Sequence, residues 1–355
     1  MNKKALIAMS GGVDSSVAAL LMKENGYDCI GATMRLFQNE DAGILSGKAC
    51  CSLEDTEDAR SVAYRLGIPY YVFNFTCDFR SQVIERFISA YESGETPNPC
   101  IDCNRYMKFD KLLRRAEILG CECVVTGHYA RIEKENNRYI LKKAVDEAKD
   151  QSYVLYFVSQ EQLARIMFPL GNMRKAEVRK LAEKHGLVNA GKRESQDICF
   201  APSGDYARII NKLTGRTYPR GNFISREGII LGEHKGIIRY TVGQRKGLGL
   251  SLKEPMYVCK INTADNTVTL GRNEDLYSKD LDARDFNWIV TDNPPEKMRV
   301  KAKICYRHKE QWAIVTPTGR DSIHLVFDEP QRAITKGQAV VLYEGDIVVG
   351  GGTIC

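Results

Sequence analysis

No stretch of this 355-residue chain approaches the ~18 to 20 consecutive apolar residues of a membrane-spanning helix. The opening Met1-Asn2-Lys3-Lys4 lacks the apolar stretch of an export signal. These absences exclude the membrane and secreted classes, so a cytoplasmic protein with no membrane partner is expected. Internal repeats and low-complexity tracts are also missing, which excludes solenoid and disordered architectures. The twelve cysteines lack the fourfold local spacing of a zinc module; in a cytosolic chain they read as metal ligands, catalytic thiols or core residues. What is present, 43% apolar residues over a length suited to two or three domains, is ordinary for a globular protein.

The net charge of +6 is small until it is located. Between Ala207 and Lys260 stand eleven Lys and Arg against three Glu, a local excess of +8, while the rest of the chain sums to −2. A polyanion-binding surface is built this way, and so is a solvated loop-rich domain.

The most specific stretch is Ala8-Met9-Ser10-Gly11-Gly12-Val13-Asp14-Ser15-Ser16, between the apolar run Ala5-Leu6-Ile7 and the helical pattern Val17, Ala18, Leu20, Leu21. A strand turning through two glycines into a helix leaves N–H groups unpaired at the positive end of the helix dipole. That is an anion site, with phosphate as the expected occupant; an ordinary glycine turn capped by Ser10 or Ser15 is the alternative. No lysine follows the glycines and Asp14 stands there instead, so this is not the Gly-Lys-Ser/Thr nucleotide loop. It resembles the Ser-Gly-Gly-x-Asp-Ser loop of the ATP pyrophosphatases, which split ATP to AMP and pyrophosphate and pass the adenylyl group to a substrate oxygen.

Apolar runs at Cys29 to Leu36, Tyr70 to Phe75 and Cys123 to Thr126 alternate with helical spacing over Ser52 to Leu66, Phe79 to Tyr91 and Phe109 to Leu119. The fold class expected is α/β, a doubly wound parallel sheet in an ATP pyrophosphatase catalytic domain over residues 1–205. The loops after Met9, Met34 and Thr126 should then converge beyond the carboxyl ends of the strands. Arg131 to Lys142 reads as a hairpin insertion, and Gln160 to Met167 and Lys175 to His185 as helices. Residues 206–278, rich in glycine and basic side chains, form a small basic middle domain expected to contact nucleic acid. Residues 279–355, short strands between polar turns, suit a C-terminal β-barrel.

Thr96-Pro97-Asn98-Pro99-Cys100-Ile101-Asp102-Cys103-Asn104 reads as a proline-stiffened loop presenting two thiols before a helix at Lys108. Thiols near a helix N-terminus and beside Arg105 and Lys108 are expected to be partly thiolate. Cys199, in Arg193-Glu194-Ser195-Gln196-Asp197-Ile198-Cys199-Phe200, reads on its own as a core residue, since free cysteine is among the most buried types.

The glycine loop, Thr96 to Pro99 with Cys103-Asn104, Thr126-Gly127-His128-Tyr129, Lys149-Asp150-Gln151-Ser152-Tyr153, Ile198-Cys199-Phe200, Thr241-Val242-Gly243-Gln244-Arg245-Lys246-Gly247-Leu248-Gly249, Phe327-Asp328-Glu329-Pro330 and Gly337-Gln338 occur in order. As an ordered set they are similar, nearly end to end, to the tRNA-specific 2-thiouridylases. The resemblance implies an enzyme that replaces the C2 oxygen of a tRNA wobble uridine with sulfur. It would use ATP, Mg²⁺ and a persulfide from a cysteine desulfurase or a sulfur-relay protein.

By the same resemblance Ala8, Met9, Ser10, Gly11, Gly12, Val13, Asp14 and Ser15 would hold ATP, with Met34 and Gly127 at its adenine and ribose end. Met34 also reads as a strand-end core residue and Gly127 as a tight turn. Cys199 would carry the persulfide, and Cys103 would be the nucleophile that assists it and then closes a disulfide with Cys199. Asn98, Pro99 and Cys100 would touch the target base; His128, Lys149, Asp150, Gln151, Cys305, Tyr306 and Gln338 would touch tRNA. His128 reads equally as a satisfied histidine at a strand end. The family commonly has Arg-Tyr at Cys305-Tyr306, which puts one contact in doubt, with Arg307 beside it. Cys50, Cys51, Cys100, Cys103 and Cys199 leave an iron–sulfur or zinc site open, although no metal ligand is assigned; ligated thiols could not also shuttle sulfur.

Overall fold

In the computed structural model, residues 3–37, 53–192, 198–201 and 204–355 are described. They form two compact units: Met1–Ile84, Pro99–Gly204 and Gly345–Val349 in the first, and Glu85–Asn98, Asp205–Glu344 and Gly350–Cys355 in the second.

The first unit is built on β1 (Lys4–Ala8), α1 (Val13–Glu24), β2 (Asp28–Arg35), α2 (Leu53–Leu66), β3 (Tyr70–Asn74) and β4 (Cys123–Val125). Its sheet runs β3, β2, β1, β4 and then the short strand Ile166–Met167, every pair parallel. Alternate residues Ala5, Ile7 and Met9 pack against Val17 and Ala18 of α1, Val62 and Ala63 of α2, and Val178 and Ala182 of the helix Lys175–Lys184. Leu6, pointing the other way, is buried as well. Burial on both faces is why the strand reads as a continuous apolar run, and each large aliphatic side chain buried here contributes about 1.5–3 kcal/mol. Gly67 (φ 62°) ends α2 with Gly67 N–H donating to Tyr64 O and Ile68 N–H to Ala63 O, the two bonds of a left-handed helix stop. Ser52, read as the first residue of that helical stretch, lies outside the described residues.

The expected hairpin pairs Ala130–Glu135 with Arg138–Lys143 through Asn136 and Asn137, both at positive φ, as a two-residue turn requires. Two expectations are corrected. The helix read over Gln160 to Met167 stops at Leu163, and Ile166–Met167 become the fifth strand, Met167 O accepting from Thr126 N–H. The amides on that side of β4 need acceptors, and two residues of strand are too short to show a period. The helix expected from Lys108 begins instead at Pro99, a residue suited to a first helical turn. It continues as a π-helix over Cys103–Lys111 and an α-helix over Leu112–Ile118, so Cys100 and Cys103 sit within it.

The second unit holds a four-stranded sheet, Tyr257–Asn262, Thr267–Gly271, Gly221–Ile224 and Ile230–His234 in spatial order, around Phe223, Tyr240, Val258, Val268 and Leu270. Its other body is a closed barrel whose order is Tyr277–Trp288, Ile323–Arg332, Gln311–Pro317, Met298–Lys303, Ala339–Glu344 and Ile347–Ile354. Ala283 pairs with Ile354 to close the ring.

His234 is fully buried in the four-stranded body, against Phe223 and Tyr240. Its Nδ1 accepts the Gly236 N–H (3.1 Å), leaving Nε2–H to donate to Asn266 O (3.0 Å). This arrangement needs a neutral ring, and burial lowers its pKa below 6.5. The unfolded chain takes up a proton near pH 6.5 and the folded one does not, so the stabilisation is complete above that pH and shrinks as pH falls toward the depressed value. Urea unfolding between pH 7.5 and 5 should show a loss of up to about 1.4 kcal/mol per pH unit from this group, absent in His234→Gln. Equal slopes for the two proteins would contradict the assignment.

Candidate functional site

Between the end of β1 at Ala8 and the start of α1 at Val13 the chain must reverse within four residues. Gly11 takes φ 75°, and a Cβ there would lie 2.2 Å from Asp55 O, so only glycine fits. Gly127, after β4, fits equally closely: its Cβ would stand 2.7 Å from Asp14 C and 2.8 Å from Ser15 N. Met9 is fixed from β2, where Thr33 Oγ1 donates to Met9 O (2.6 Å), and Met34 is half-buried at the carboxyl end of that strand. Gly12 O accepts from Ser15 Oγ (3.0 Å) and Ser16 Oγ (3.1 Å), and Ser10 N–H donates to Ser15 Oγ (3.1 Å). With these carbonyls drawn toward the helix, the first amides of α1 point outward, as an anion site requires.

Asp14 would repel an anion there. Both of its carboxylate oxygens accept from Lys175 Nζ at 2.7 Å, and Tyr129 Oη donates to Oδ1 at 2.8 Å. Lys175 is buried and opens the helix Lys175–Lys184, which packs on α1, so the starts of the two helices bring the charges together. Sequence reasoning placed Lys175 on a helix and missed its role. The available signal was a lysine in a first helical turn, where the helix dipole disfavours a cation.

His128 is 7% exposed. Lys108 Nζ lies 3.4 Å from Nε2 and Thr126 Oγ1 lies 2.6 Å from Nδ1, so a neutral ring with its proton on Nδ1 satisfies both. Burial, then the Lys108 charge, holds its pKa well below 6.5. That is the placement of a satisfied histidine. Gln151 and Tyr129 exchange bonds, Gln151 N–H to Tyr129 O and Tyr129 N–H to Gln151 Oε1. Asp150 accepts from Ala144 N–H and Ser152 N–H, and the Lys149 amide from its turn donates to Asp146 O.

Cys103 and Cys199 are half-buried and Cys100 is exposed, whereas Cys29, Cys121 and Cys123 are buried. Burial pushes the Cys29 and Cys123 thiols up to about 11, so both stay protonated and inert. Phe200, beside Cys199, packs edge-on against Phe79 at 5.9 Å, and the helix Thr76–Phe79 packs on the π-helix that Cys103 begins. Cys50, Cys51 and residues 193–197 lie outside the described residues. Among the described residues no group of three or more His, Cys, Asp or Glu is arranged to hold a metal ion.

In the second unit, Gln338 Nε2 donates to Thr96 O (2.6 Å) and Thr96 N–H donates to Lys336 O (2.8 Å), which fixes the segment leading to Asn98. Cys305 and Tyr306 follow the strand Met298–Lys303, with Lys303 Nζ 5.6 Å from the Tyr306 ring centroid. Within the basic stretch between Ala207 and Lys260, Arg216 is tied to Glu92, Arg220 to Glu233 and Arg226 to Asp275. Arg245 and Lys246 are exposed on a turn pinned by Gln244, whose Oε1 accepts from Thr241 N–H and whose Nε2 donates to Lys246 O.

Residues 3–203 match a family model described as a tRNA methyl transferase HUP domain, residues 209–272 a tRNA methyl transferase PRC-barrel domain, and residues 278–354 an aminomethyltransferase beta-barrel domain. The chain is 52% identical to the tRNA-specific 2-thiouridylase MnmA of Clostridioides difficile, over 100% of this chain and 98% of that protein. It is 51% identical to the protein of the same name from Acetivibrio thermocellus, over 99% of each. Among solved structures, a 4-thiouridine synthetase–RNA complex with bound ATP is similar over 60% of this chain and 50% of that one, at 18% identity and a TM-score of 0.37.

Removing Lys175 strands the Asp14 carboxylate. Lys175→Met should cost about 1–3 kcal/mol, less than a fully buried pair because the Asp14 side chain is 32% exposed. Asp14→Asn combined with Lys175→Met should recover part of that loss. Urea unfolding of Lys175→Met, Asp14→Asn and the double variant checks the coupling, and strictly additive losses would disprove it.

Proposed function

The chain belongs to the tRNA-specific 2-thiouridylase family, and on that premise we propose how its residues carry out the reaction. The protein is a tRNA sulfurtransferase. The family model's description speaks of methyl transfer, and the relatives that span the whole chain speak of thiolation; the wider match decides.

Uracil O2 is a poor leaving group. ATP on Ala8 to Ser15, with Met34 and Gly127 at its adenine and ribose end, places the α-phosphate for attack by O2; pyrophosphate departs and O2 becomes part of a bound adenylate. The outward amides of the turn meet the phosphate charge, while the Lys175 ammonium cancels that of Asp14. Mg²⁺ would enter with ATP, held chiefly by its phosphates, since both Asp14 carboxylate oxygens accept from Lys175 Nζ, and it would supply charge neutralisation. A terminal persulfide sulfur on Cys199 then adds to C2, and AMP leaves with O2. Cys103 thiolate attacks Cys199 Sγ, the S–S bond breaks toward the uridine, and its sulfur remains as 2-thiouridine. The two electrons that the thiols lose leave with the transferred sulfur, so the pair ends as a Cys103–Cys199 disulfide, which an external thiol must reduce.

The sulfur comes from a cysteine desulfurase or a relay protein. Asn98, Pro99 and Cys100 meet the base, and Lys149, Asp150, Gln151, His128, Cys305, Tyr306 and Gln338 border the tRNA. An iron–sulfur cluster would need Cys50 and Cys51 beside Cys100, Cys103 and Cys199, since the described thiols form no ligand group, and no step passes through one. The observation that supports this reading most is the glycine turn, with its amides outward and its carboxylate neutralised by a buried lysine.

Cys103→Ser and Cys199→Ser should each cut 2-thiouridine formation by about 10³-fold or more while pyrophosphate release persists. An ammonia-using synthetase on the same loop would lose nothing, and full thiolation by either variant sinks the thiol assignment. Arg245→Ala with Lys246→Ala should weaken tRNA binding and lower the slope of log affinity against log salt by about two units. An unchanged slope would remove that turn from the RNA interface.

A further inference from the structure

Asn189 is 3% exposed and lies in a turn after the helix Lys175–Lys184. The turn is fixed at both ends: Leu187 packs in the core, and Lys192 Nζ binds Asp55 Oδ1 (2.6 Å) and Asp58 Oδ2 (2.5 Å) on α2. Asn189 Nδ2 donates to Gly11 O (3.0 Å) and to Ser16 Oγ (2.8 Å), which uses both of its protons. Its Oδ1 has no hydrogen-bond partner among the described residues. The opposite amide orientation would set two acceptors, Oδ1 and Gly11 O, against each other, so this side chain acts through its donors alone.

In a trans peptide the C=O and the following N–H point in opposite directions, and no peptide bond among the described residues is cis. Holding Gly11 O toward Asn189 therefore turns Gly12 N–H away from it. Ser16 Oγ, which accepts from Asn189, donates to Gly12 O and so turns Val13 N–H outward as well. A single amide, 178 residues from Gly11, thus sets the direction of the Gly12 N–H and reinforces that of Val13, whose neighbouring carbonyl Gly12 O also accepts from Ser15 Oγ and Ser16 N–H.

We propose that Asn189 is a positioning residue for the nucleotide, holding the Gly11 and Gly12 carbonyls back so that the Gly12 and Val13 amides meet the phosphates. The inference rests on the nucleotide reading above. Asn189→Asp keeps the shape and puts a carboxylate oxygen against Gly11 O; Asn189→Ala removes the donors. With both variants confirmed as folded by thermal melting, pyrophosphate release is measured with ATP and tRNA varied separately. The KM for ATP should rise about tenfold in each, with the KM for tRNA unchanged. A wild-type KM for ATP in a folded variant, or equal rises for both substrates, overturns the proposal. Amide exchange of the wild-type protein keeps the idea testable if the variants do not fold. Gly12 and Val13 should gain protection on adding ATP, and no gain overturns it. If the wild-type protein releases no pyrophosphate, the nucleotide reading itself has failed.

Discussion

A carboxylate in the first turn of a helix that is to receive phosphate is a repulsive arrangement, and the structure is organised around cancelling it. Asp14 is neutralised by Lys175, 161 residues further on, in a pair that Tyr129 completes. The pairing requires two helix starts side by side, and the packing of α1 on the helix Lys175–Lys184 over a shared apolar core supplies this. It also fixes the loop after β4, because Tyr129 can reach Asp14 only if Gly127 lies flat against the backbone of Asp14 and Ser15.

The glycine turn is held from four directions. Thr33 reaches it from β2, Asp55 O closes over Gly11 from α2, Ser15 and Ser16 draw in Gly12 O from α1, and Asn189 takes Gly11 O. Preorganisation of this kind lets donors act on a ligand without reorganising first. The thiols follow a separate logic. Cys29 and Cys123 in the sheet are pushed up by burial and held inert, while Cys103 and Cys199 stay half-buried, Cys199 next in sequence to Phe200, which packs on Phe79.

The sheet was legible in the sequence because β1, β2 and β4 are apolar runs that are largely buried and the edge strand β3 is an apolar run as well, with helical periods between them. The glycine turn was legible because two adjacent glycines between a strand and a helix have few other uses. What could not be read was long-range: Lys175, Tyr129 and Asn189 act on residues more than a hundred positions away, and nothing local marks the partner. Ile166–Met167 is too short to carry a period. The helical start at Pro99 was hidden because the prolines and the Asx residues look like a loop, although Pro99 is at home in a first turn. His128, which the sequence offered both as a tRNA contact and as a satisfied strand-end histidine, has both ring nitrogens engaged inside the fold.

The account claims that ATP activates the uridine oxygen and that this oxygen is then displaced by sulfur. A tRNA whose wobble uridine carries ¹⁸O at C2, incubated with the protein, ATP, Mg²⁺ and a persulfide donor, tests the claim directly by mass spectrometry of nucleoside and nucleotide. The label should appear in the phosphate of AMP, one atom for each 2-thiouridine formed. Label in water or in pyrophosphate, or thiolation with unlabelled AMP, would contradict it.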